Sequence, residues 1–366
     1  MDVSAKNIID YLERMFPPSL AEDYDNVGLL IGDKDKNINK ILFTLDVTRD
    51  TIDEAIKLGC DMIISHHPLI FTPLKKIKTD EYIGSIIIKA IKSEINIYAV
   101  HTNFDNAEKG LNDFLAKLLE LEDIEILSPH KEIKLYKIVV FVPKSHADVV
   151  RNAILTEGAG HIGNYSYCSF NVEGQGTFMP LEGSNPFIGE KNKIEYVEEV
   201  RIETIVKEKD LNRVISSMIK AHPYEEVAYD VYPLQNSLKQ GTGRVGNLKG
   251  EIRLKEFINL IKQKFNVDNV RIVGNLDKKI KRIAIVGGSG SSFIRDALNK
   301  GCDVLITGDI KHHDAIIASE LGLNIIDIGH FASEYLAVPY LLDIIKKSFD
   351  VECILTETNK NPFTVL

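Results

Sequence analysis

The chain has 366 residues, 44% of them hydrophobic and 27% charged, an ordinary composition for a globular protein with about two to three domains. Its 44 basic and 53 acidic residues give a formal charge of -9, which argues against nucleic acid or an acidic membrane as the main partner. The sequence has no apolar run of the roughly 20 residues that a membrane helix needs, and its first residues lack the pattern of a signal peptide. We therefore expect a cytoplasmic protein.

The two ends of the chain carry a repeated strand–helix–strand pattern. "KILFTLDVTRDTIDEAIKLGCDMIIS", residues 40–65, aligns without gaps with "RIAIVGGSGSSFIRDALNKGCDVLIT", residues 282–307. In each copy a helix is expected to end at a glycine, Gly59 or Gly301, and a further apolar strand follows, "NIYAVH" or "NIIDIGH". Unrelated strand–helix–strand units could share this outline, but "GCD" before an apolar strand recurs in register. The repeat predicts two related α/β halves with right-handed crossovers.

The segment between the halves has a different pattern. Its apolar stretches and intervening turns predict β-α-β-β-α-β order, which is that of a ferredoxin-like α+β domain. The polar, glycine-rich "NSLKQGTGRVG" is suited to a linker that returns the chain to the second half. We therefore predict an α/β core formed by residues 1–128 and 244–366, with an inserted ferredoxin-like domain at residues 129–243.

Two adjacent histidines stand at the end of a predicted strand in "IISHHPLIF". Neighbouring side chains on a strand point to opposite faces, so His66 and His67 can serve one site only if they lie just past the strand end. Pro68 supports this placement, because it cannot donate a ladder hydrogen bond and disfavours a helical conformation at His67. Open α/β sheets bind their ligands at the carboxyl ends of such strands.

Other strand ends supply further side chains of the kind that ligate metals. Asp105 follows the strand "NIYAVH", and in the second half His330 and Glu334 are four residues apart on one predicted helix face. The candidate ligands are His66, His67, Asp105, His330 and Glu334. Five ligands exceed the three protein ligands usual for one catalytic zinc and suit two ions. We expect Glu334 to bridge them, with His67 and Asp105 completing one shell and His66 and His330 the other.

Mixed nitrogen and oxygen ligands favour Zn, Mn, Fe, Co or Ni over Ca or Mg. Each candidate has an ordinary alternative, because a lone histidine at a strand end is usually a hydrogen-bonded loop residue and a His/Glu pair on a helix is usually solvated. Their joint occurrence at equivalent strand ends favours the metal site.

Two further histidines are candidates for proton transfer. His101 closes the strand before Asp105, and His313 lies in "GDIKHHDA". His312 and His313 also form an adjacent pair, but the gapless alignment places Gly308 and Asp309, rather than this pair, opposite His66 and His67.

Two polar turns allow either a structural or a site role. "GGSGSS", residues 287–292, could cradle a phosphate or form a tight turn, and it lacks the lysine of a Walker loop. Asp25 in "EDYDNVGLLIG" is expected to cap a turn, with contact to the site as the alternative.

Taken together, these motifs resemble the GTP cyclohydrolase 1 type 2 family. The matching pieces are "YDNVGLLIG", "SHHPLIF", "HTNFD", "GGSG", "TGDIKHHDA" and "IDIGHFASE", which occur in this order in the two terminal portions. The resemblance implies a dinuclear metal site on the same five ligands, a homohexamer of two stacked trimers, and an insertion similar to a PII-like or CutA-like domain. Tyr24 departs from the family pattern, in which a tryptophan is more usual.

The resemblance implies that the partner is a phosphorylated small molecule such as GTP. Two divalent ions outweigh two carboxylates, so the cavity should attract phosphate. In the implied reaction water attacks C8 of guanine, the imidazole ring opens and formate leaves, with His101 or His313 as proton donor. Two alternatives stay open: another dinuclear hydrolase acting on phosphoester or amide bonds, and a non-enzymatic metal-binding scaffold or regulator.

Overall fold

The computed structural model describes residues 3–163 and 165–364 and divides the chain into two compact units. The first unit combines Met1–Lys131 with Gln240–Leu366, and the second is Glu132–Lys239. The second unit lies within the range predicted for an insertion, residues 129–243, and its independence as a domain stays a prediction. Among the helices of the described residues, none is long and apolar enough to cross a bilayer.

The regular elements alternate between helices and strands along most of the chain. The helices are α1 Ala5–Met15, α2 Arg49–Leu58, α3 Tyr82–Lys92, α4 Thr102–Asn106, α5 Leu111–Leu118, α6 Ala147–Thr156, α7 Leu211–Ala221, α8 Leu254–Phe265, α9 Ile294–Asn299, α10 His312–Glu320, α11 His330–Glu334 and α12 Ala337–Ser348. The strands are β1 Gly28–Ile31, β2 Lys40–Thr44, β3 Met62–Ser65, β4 Asn96–Ala99, β5 Glu122–Pro143, β6 Phe170–Phe178, β7 Glu195–Lys207, β8 Tyr229–Arg253, β9 Arg271–Val273, β10 Lys279–Ser289, β11 Val304–Gly308, β12 Asn324–Asp327 and β13 Glu352–Leu355.

The first unit contains two sheets, one mainly from each predicted half, and β13 from the second half joins the first sheet. The strand order is β1-β4-β3-β2-β13 in the first sheet, and β9-β12-β11-β10-β8 among the strands of the second. In both sheets the three central strands are parallel, and the short outer strand, β1 or β9, is antiparallel to its neighbour. This shared order confirms the prediction of two related α/β halves.

Apolar runs in the central strands explain why these sheets are buried. Leu42, Ile63 and Ile97 on successive strands of the first sheet are fully buried in a cluster that includes α2 and α3 side chains. The corresponding cluster of the second sheet contains Leu305 and Ile325 together with residues of α9 and α10. Continuous apolar runs of this kind are typical of parallel strands covered by helices.

The repeated "GCD" segment has the same structure in both copies. Gly59 and Gly301 each have φ of 66°, a left-handed conformation that a glycine adopts without steric cost. The carboxylates of Asp61 and Asp303 each accept hydrogen bonds from two backbone amides at the start of the neighbouring strand, at 2.8–3.1 Å. The aspartate of the motif therefore ties the strand after each helix to the strand before it.

The second unit has β-α-β-β-α-β order and the strand order β6-β7-β5-β8, which are those of a ferredoxin-like fold. Even-numbered residues of two strands, such as Val140 on β5 and Ile202 on β7, are buried in a cluster with side chains of α6 and α7. Because side chains alternate along a strand, the odd-numbered residues point away from these helices.

We expect Asn324→Ala to lower the free energy of unfolding of the first unit by about 2 kcal/mol. The Asn324 side chain is buried, accepts from the amide of Asn275 at 3.1 Å and donates to the carbonyl of Asp303 at 2.8 Å. Its removal leaves both backbone groups without this partner. Urea unfolding followed by circular dichroism measures the change. Asn299→Ala, at an exposed position, is the control, and equal losses in the two variants would contradict the structural role.

Candidate metal centre

Strand ends and two short helices of the first unit bring the predicted ligands together. His66 and His67 directly follow β3, and Asp105 lies on α4, which follows β4. His330 and Glu334 are the first and last residues of α11, which follows β12 of the other sheet. Both halves therefore contribute to one cluster.

One group of possible ligands consists of His67, His330 and Glu334. Nε2 of His67 and Nε2 of His330 each lie 2.9 Å from Oε2 of Glu334. The two ring nitrogens are 3.4 Å apart. Two imidazoles thus converge on one carboxylate oxygen.

A second group consists of His66, Asp105 and Glu334. Nε2 of His66 lies 3.7 Å from Oδ1 of Asp105 and 3.9 Å from Oε1 of Glu334. In the described part of the chain, Nε2 of His66 and Oδ1 of Asp105 are buried and have no hydrogen-bond partner. Buried polar atoms are nearly always partnered, so two such atoms of ligand type facing each other fit a metal cation between them.

These distances favour a division of the possible ligands that differs from the expected one. The sequence interpretation combined His67 with Asp105 and His66 with His330, whereas the structure groups His66 with Asp105 and His67 with His330. Glu334 belongs to both groups, through a different oxygen in each.

The second nitrogen of each histidine ring is held by a partner outside the two groups. Nδ1 of His66 donates to the carbonyl of Val100 at 2.8 Å. Nδ1 of His67 is 2.8 Å from Oδ1 of Asp46, and Nδ1 of His330 is 2.7 Å from Oδ2 of Asp309. Metal-bound histidines usually have such a partner, which orients the ring and directs the other nitrogen to the ion.

The pKa shifts of Glu334 and His66 suit ligands of a cation. Burial opposes ionisation of Glu334, but its interactions with the rings of His330, His66 and His67 hold the pKa of this carboxyl well below its ordinary value. Burial lowers the pKa of His66, which favours the neutral ring that binds metals. Burial raises the pKa of Asp105 well above its ordinary value, and the Glu334 charge adds to this effect. A neighbouring cation would favour the ionised form of Asp105.

His101 lies beside the cluster and is held by Asp25, which the sequence interpretation treated as a turn cap. Nδ1 of His101 is 2.9 Å from Oδ1 of Asp25, whose other oxygen accepts from the amide and hydroxyl of Thr102. Burial alone would raise the pKa of Asp25, but the hydrogen bond with His101 and the other bonds lower it to about 2. The His101 ring lies 5.2 Å from that of His66 and 5.3 Å from that of His67.

The structure gives the glycine-rich turn a role different from phosphate binding. Gly288 has φ of 67°, and a Cβ built there would lie 2.1 Å from Oε1 of Glu334. The turn therefore makes room for the shared carboxylate. His313 is exposed on α10 with its ring 5.4 Å from that of His312, and it belongs to none of the groups of possible ligands among the described residues.

Asp46 and Asp309 are site residues that sequence reasoning missed. A signal for Asp309 was present, because the gapless repeat places it opposite His67. The same repeat pairs Asp46 with Gly288, so it offers no comparable signal there.

The fold and the site define an α/β protein of two related halves that share one cluster of possible metal ligands. The chain belongs to the Duf34/NIF3 (NGG1p interacting factor 3) family, whose model matches residues 3–362. The resemblance to the GTP cyclohydrolase 1 type 2 family is confirmed as well, because curated relatives are named as homologues of that protein. A "GTP cyclohydrolase 1 type 2 homolog" of Halalkalibacterium halodurans is 47% identical over 99% of both chains. One of Bacillus subtilis is 46% identical over 100% of this chain and 99% of its own.

A solved structure has the same fold over its full length. A Bacillus cereus protein related to NIF3, known from a crystal structure, is 45% identical in sequence to this chain. The two structures align with a TM-score of 0.90 over 100% of both chains.

We expect Asp309→Ala to lower the affinity for Zn²⁺ by about tenfold or more, because the His330 ring loses the partner that orients it. Competition with a fluorescent chelator measures the affinity. Asp343→Ala removes a carboxylate from an exposed position on α12 and is the control. If both variants retain the affinity of the unchanged chain, the carboxylate of Asp309 has no part in metal binding.

Proposed function

We propose that the chain is a hydrolase with a dinuclear metal site. The observation that carries the proposal is the shared carboxylate of Glu334, which directs one oxygen to each of two groups of possible ligands. His66 and Asp105 would hold one ion with Glu334, and His67 and His330 the other. The nitrogen and oxygen ligands favour Zn, Mn, Fe, Co or Ni.

Divalent ions of this kind act as Lewis acids and lower the pKa of water, which is the chemistry that hydrolysis requires. His101 is placed to move a proton. One of its ring nitrogens lies within 4.8 Å of ring nitrogens of His66 and His67. Since Nδ1 is bonded to Asp25, Nε2 is the nitrogen that faces substrate in this proposal. The buried Asp25 carboxylate fixes the ring orientation.

An exposed aromatic pair beside His101 supports a substrate with a flat ring. The rings of Tyr24 and Phe71 are 6.1 Å apart, and that of Phe71 is 6.3 Å from that of His101. Tyr24 is 66% exposed and Phe71 46%, so a ring can stack on either. Tyr24 supplies this surface although the family pattern more often has a tryptophan there.

A basic loop supports a phosphorylated substrate. Lys75, Lys76 and Lys78 follow Phe71 within seven positions of the sequence and are exposed. Lys76 pairs with Glu81 and Lys78 with Asp80, and the remaining positive charge of the loop would add to that of the metal ions, which outweigh two carboxylates. The names of the curated relatives make GTP the first substrate to test. The proposed reaction adds water at C8 of guanine and opens the imidazole ring, with His101 protonating the departing ring nitrogen, and a second water then hydrolyses the resulting formamide to release formate.

Two features of the assembly belong to the same proposal. We propose that Glu132–Lys239 is an inserted domain and that six chains form a homohexamer, as the family resemblance implies. Light scattering of the full chain tests the second point.

We expect the purified chain to take up two transition-metal ions and Glu334→Ala to lose both, because each group loses its shared ligand. His66→Ala should lose mainly the ion of its own group. Elemental analysis after metal reloading gives the number per chain. His312→Ala, at an exposed histidine, is the control and should keep two ions. A chain that never exceeds one ion would contradict the dinuclear site.

We expect loaded protein to release formate from GTP and His101→Asn to lower kcat by about 100-fold, because a positioned proton donor contributes roughly that factor. Phe71→Ala should instead raise KM by about tenfold through lost stacking. Leu74→Ala, an exposed apolar position in the same loop, is the control. Equal formate release by the unchanged chain and Glu334→Ala would assign the activity to a contaminant.

A further inference from the structure

The sheet of the second unit carries a cavity of about 620 Å³ on the face opposite its helices. Val140 and Ile202 point to the helices, whereas Phe141, Glu199 and Arg201 lie on the other face and line the cavity. The cavity belongs to the second unit, and it is lined by none of the proposed metal ligands.

Glycines on β6 leave room for the cavity. Side chains alternate along the strand, so Val172, Gly174, Gly176 and Phe178 share one face. Gly174 pairs with Glu199, and a Cβ built at Gly174 would meet no atom within 4 Å. The floor is therefore open above Gly174, whereas the Glu199 side chain lies over Gly176.

Aromatic side chains form the walls. The ring of Tyr224 lies 5.8 Å from that of Phe178 and 6.3 Å from that of Phe187. The Tyr224 hydroxyl donates to Oε1 of Glu199 at 3.1 Å, which fixes a carboxylate within an aromatic enclosure. The loop between β6 and β7 is tied to the opposite wall, because the amide of Asn185 donates to Glu225 at 2.8 Å.

The charge of the lining is acidic. Glu173, Glu199, Glu225 and Glu226 line the cavity, against the single guanidinium of Arg201 among the described lining residues. Lys144 pairs with Glu173 at 2.9 Å, which leaves three carboxylates.

The single positive charge is already partnered. Nε of Arg201 lies 2.9 Å from Oε1 of Glu203, and its guanidinium lies over the ring of Phe141, 5.8 Å from the centroid. The lining thus combines aromatic surfaces with an excess of negative charge, which attracts organic cations.

We propose that this cavity is a second binding site, for a small aromatic cation. Its volume lies within the range of about 300–1,000 Å³ that is typical of small-molecule sites, and its lining is mostly apolar with a few fixed polar groups. Binding here is independent of the dinuclear site and of the proposed hydrolysis.

Two acridine probes of the same ring size and opposite charge test the proposal on the full chain. We expect the cationic 9-aminoacridine to bind at least about tenfold more tightly than the anionic acridine-9-carboxylate, as judged by fluorescence anisotropy. Glu199→Gln keeps the shape of the side chain and its ability to accept from Tyr224, and should lower the affinity for the cation by about fivefold. Equal binding of the two probes would overturn the proposal.

A substitution that fills the floor provides the second test. Gly174→Val places a branched side chain in open space on a strand, so it should fold normally and lower binding of the cation by about tenfold or more. Gly250→Val also meets no atom within 4 Å but lies on β8 in the first unit, and it should keep the affinity. Equal affinities of the two variants would place the probe elsewhere. A change in assembly mass by light scattering for Gly174→Val alone would show that the face contacts a second copy, which also overturns the proposal.

Discussion

The buried carboxylate of Glu334 is the group on which the site depends. His67, which lies 267 positions earlier in the chain, reaches one of its oxygens, and His66 faces the other. An ionised carboxylate in a buried position is costly unless charged or hydrogen-bonding groups surround it. The histidines supply these groups, so the same contacts that hold Glu334 in place also direct ring nitrogens toward one another. Polar contacts of this side chain therefore connect the two halves of the first unit.

The two halves have the same strand order, yet together they form one cluster of possible metal ligands. The halves share strand order and the "GCD" contacts, but their equivalent positions carry different side chains. Where the first half places His67 as a possible ligand, the second half places Asp309, which holds the ring of His330 instead. Where the first half has Asp46, the second has Gly288, which admits Glu334. At these equivalent positions one half thus supplies a possible ligand, whereas the other orients a ligand or leaves room for one.

The sequence was sufficient for the parts that depend on periodicity and strand ends. It predicted the two related halves and placed His66, His67 and Glu334 past the carboxyl ends of parallel strands in the two sheets, where open α/β sheets bind their ligands. It divided the possible ligands into groups that differ from those the distances favour, since spacing does not specify the directions in which α4 and α11 place Asp105 and His330. Contact of Asp25 with the site was only the alternative to a turn cap, for a similar reason. Its contact with His101 joins residues 76 positions apart, and nothing in a local turn pattern reveals it.

Glycine positions a carboxylate in both units. A Cβ at Gly288 would lie 2.1 Å from an oxygen of Glu334, and one at Gly176 would lie 2.2 Å from an oxygen of Glu199. Hydrogen bonds determine where each carboxylate points. Each carboxylate can lie against the backbone only because the glycine there has no side chain. Gly288 also has a left-handed conformation that other residues adopt at a cost, whereas Gly176 is required for space alone. A change at Gly288 would therefore disturb both the turn and the shared ligand, while a change at Gly176 would displace Glu199 and could leave the strand intact.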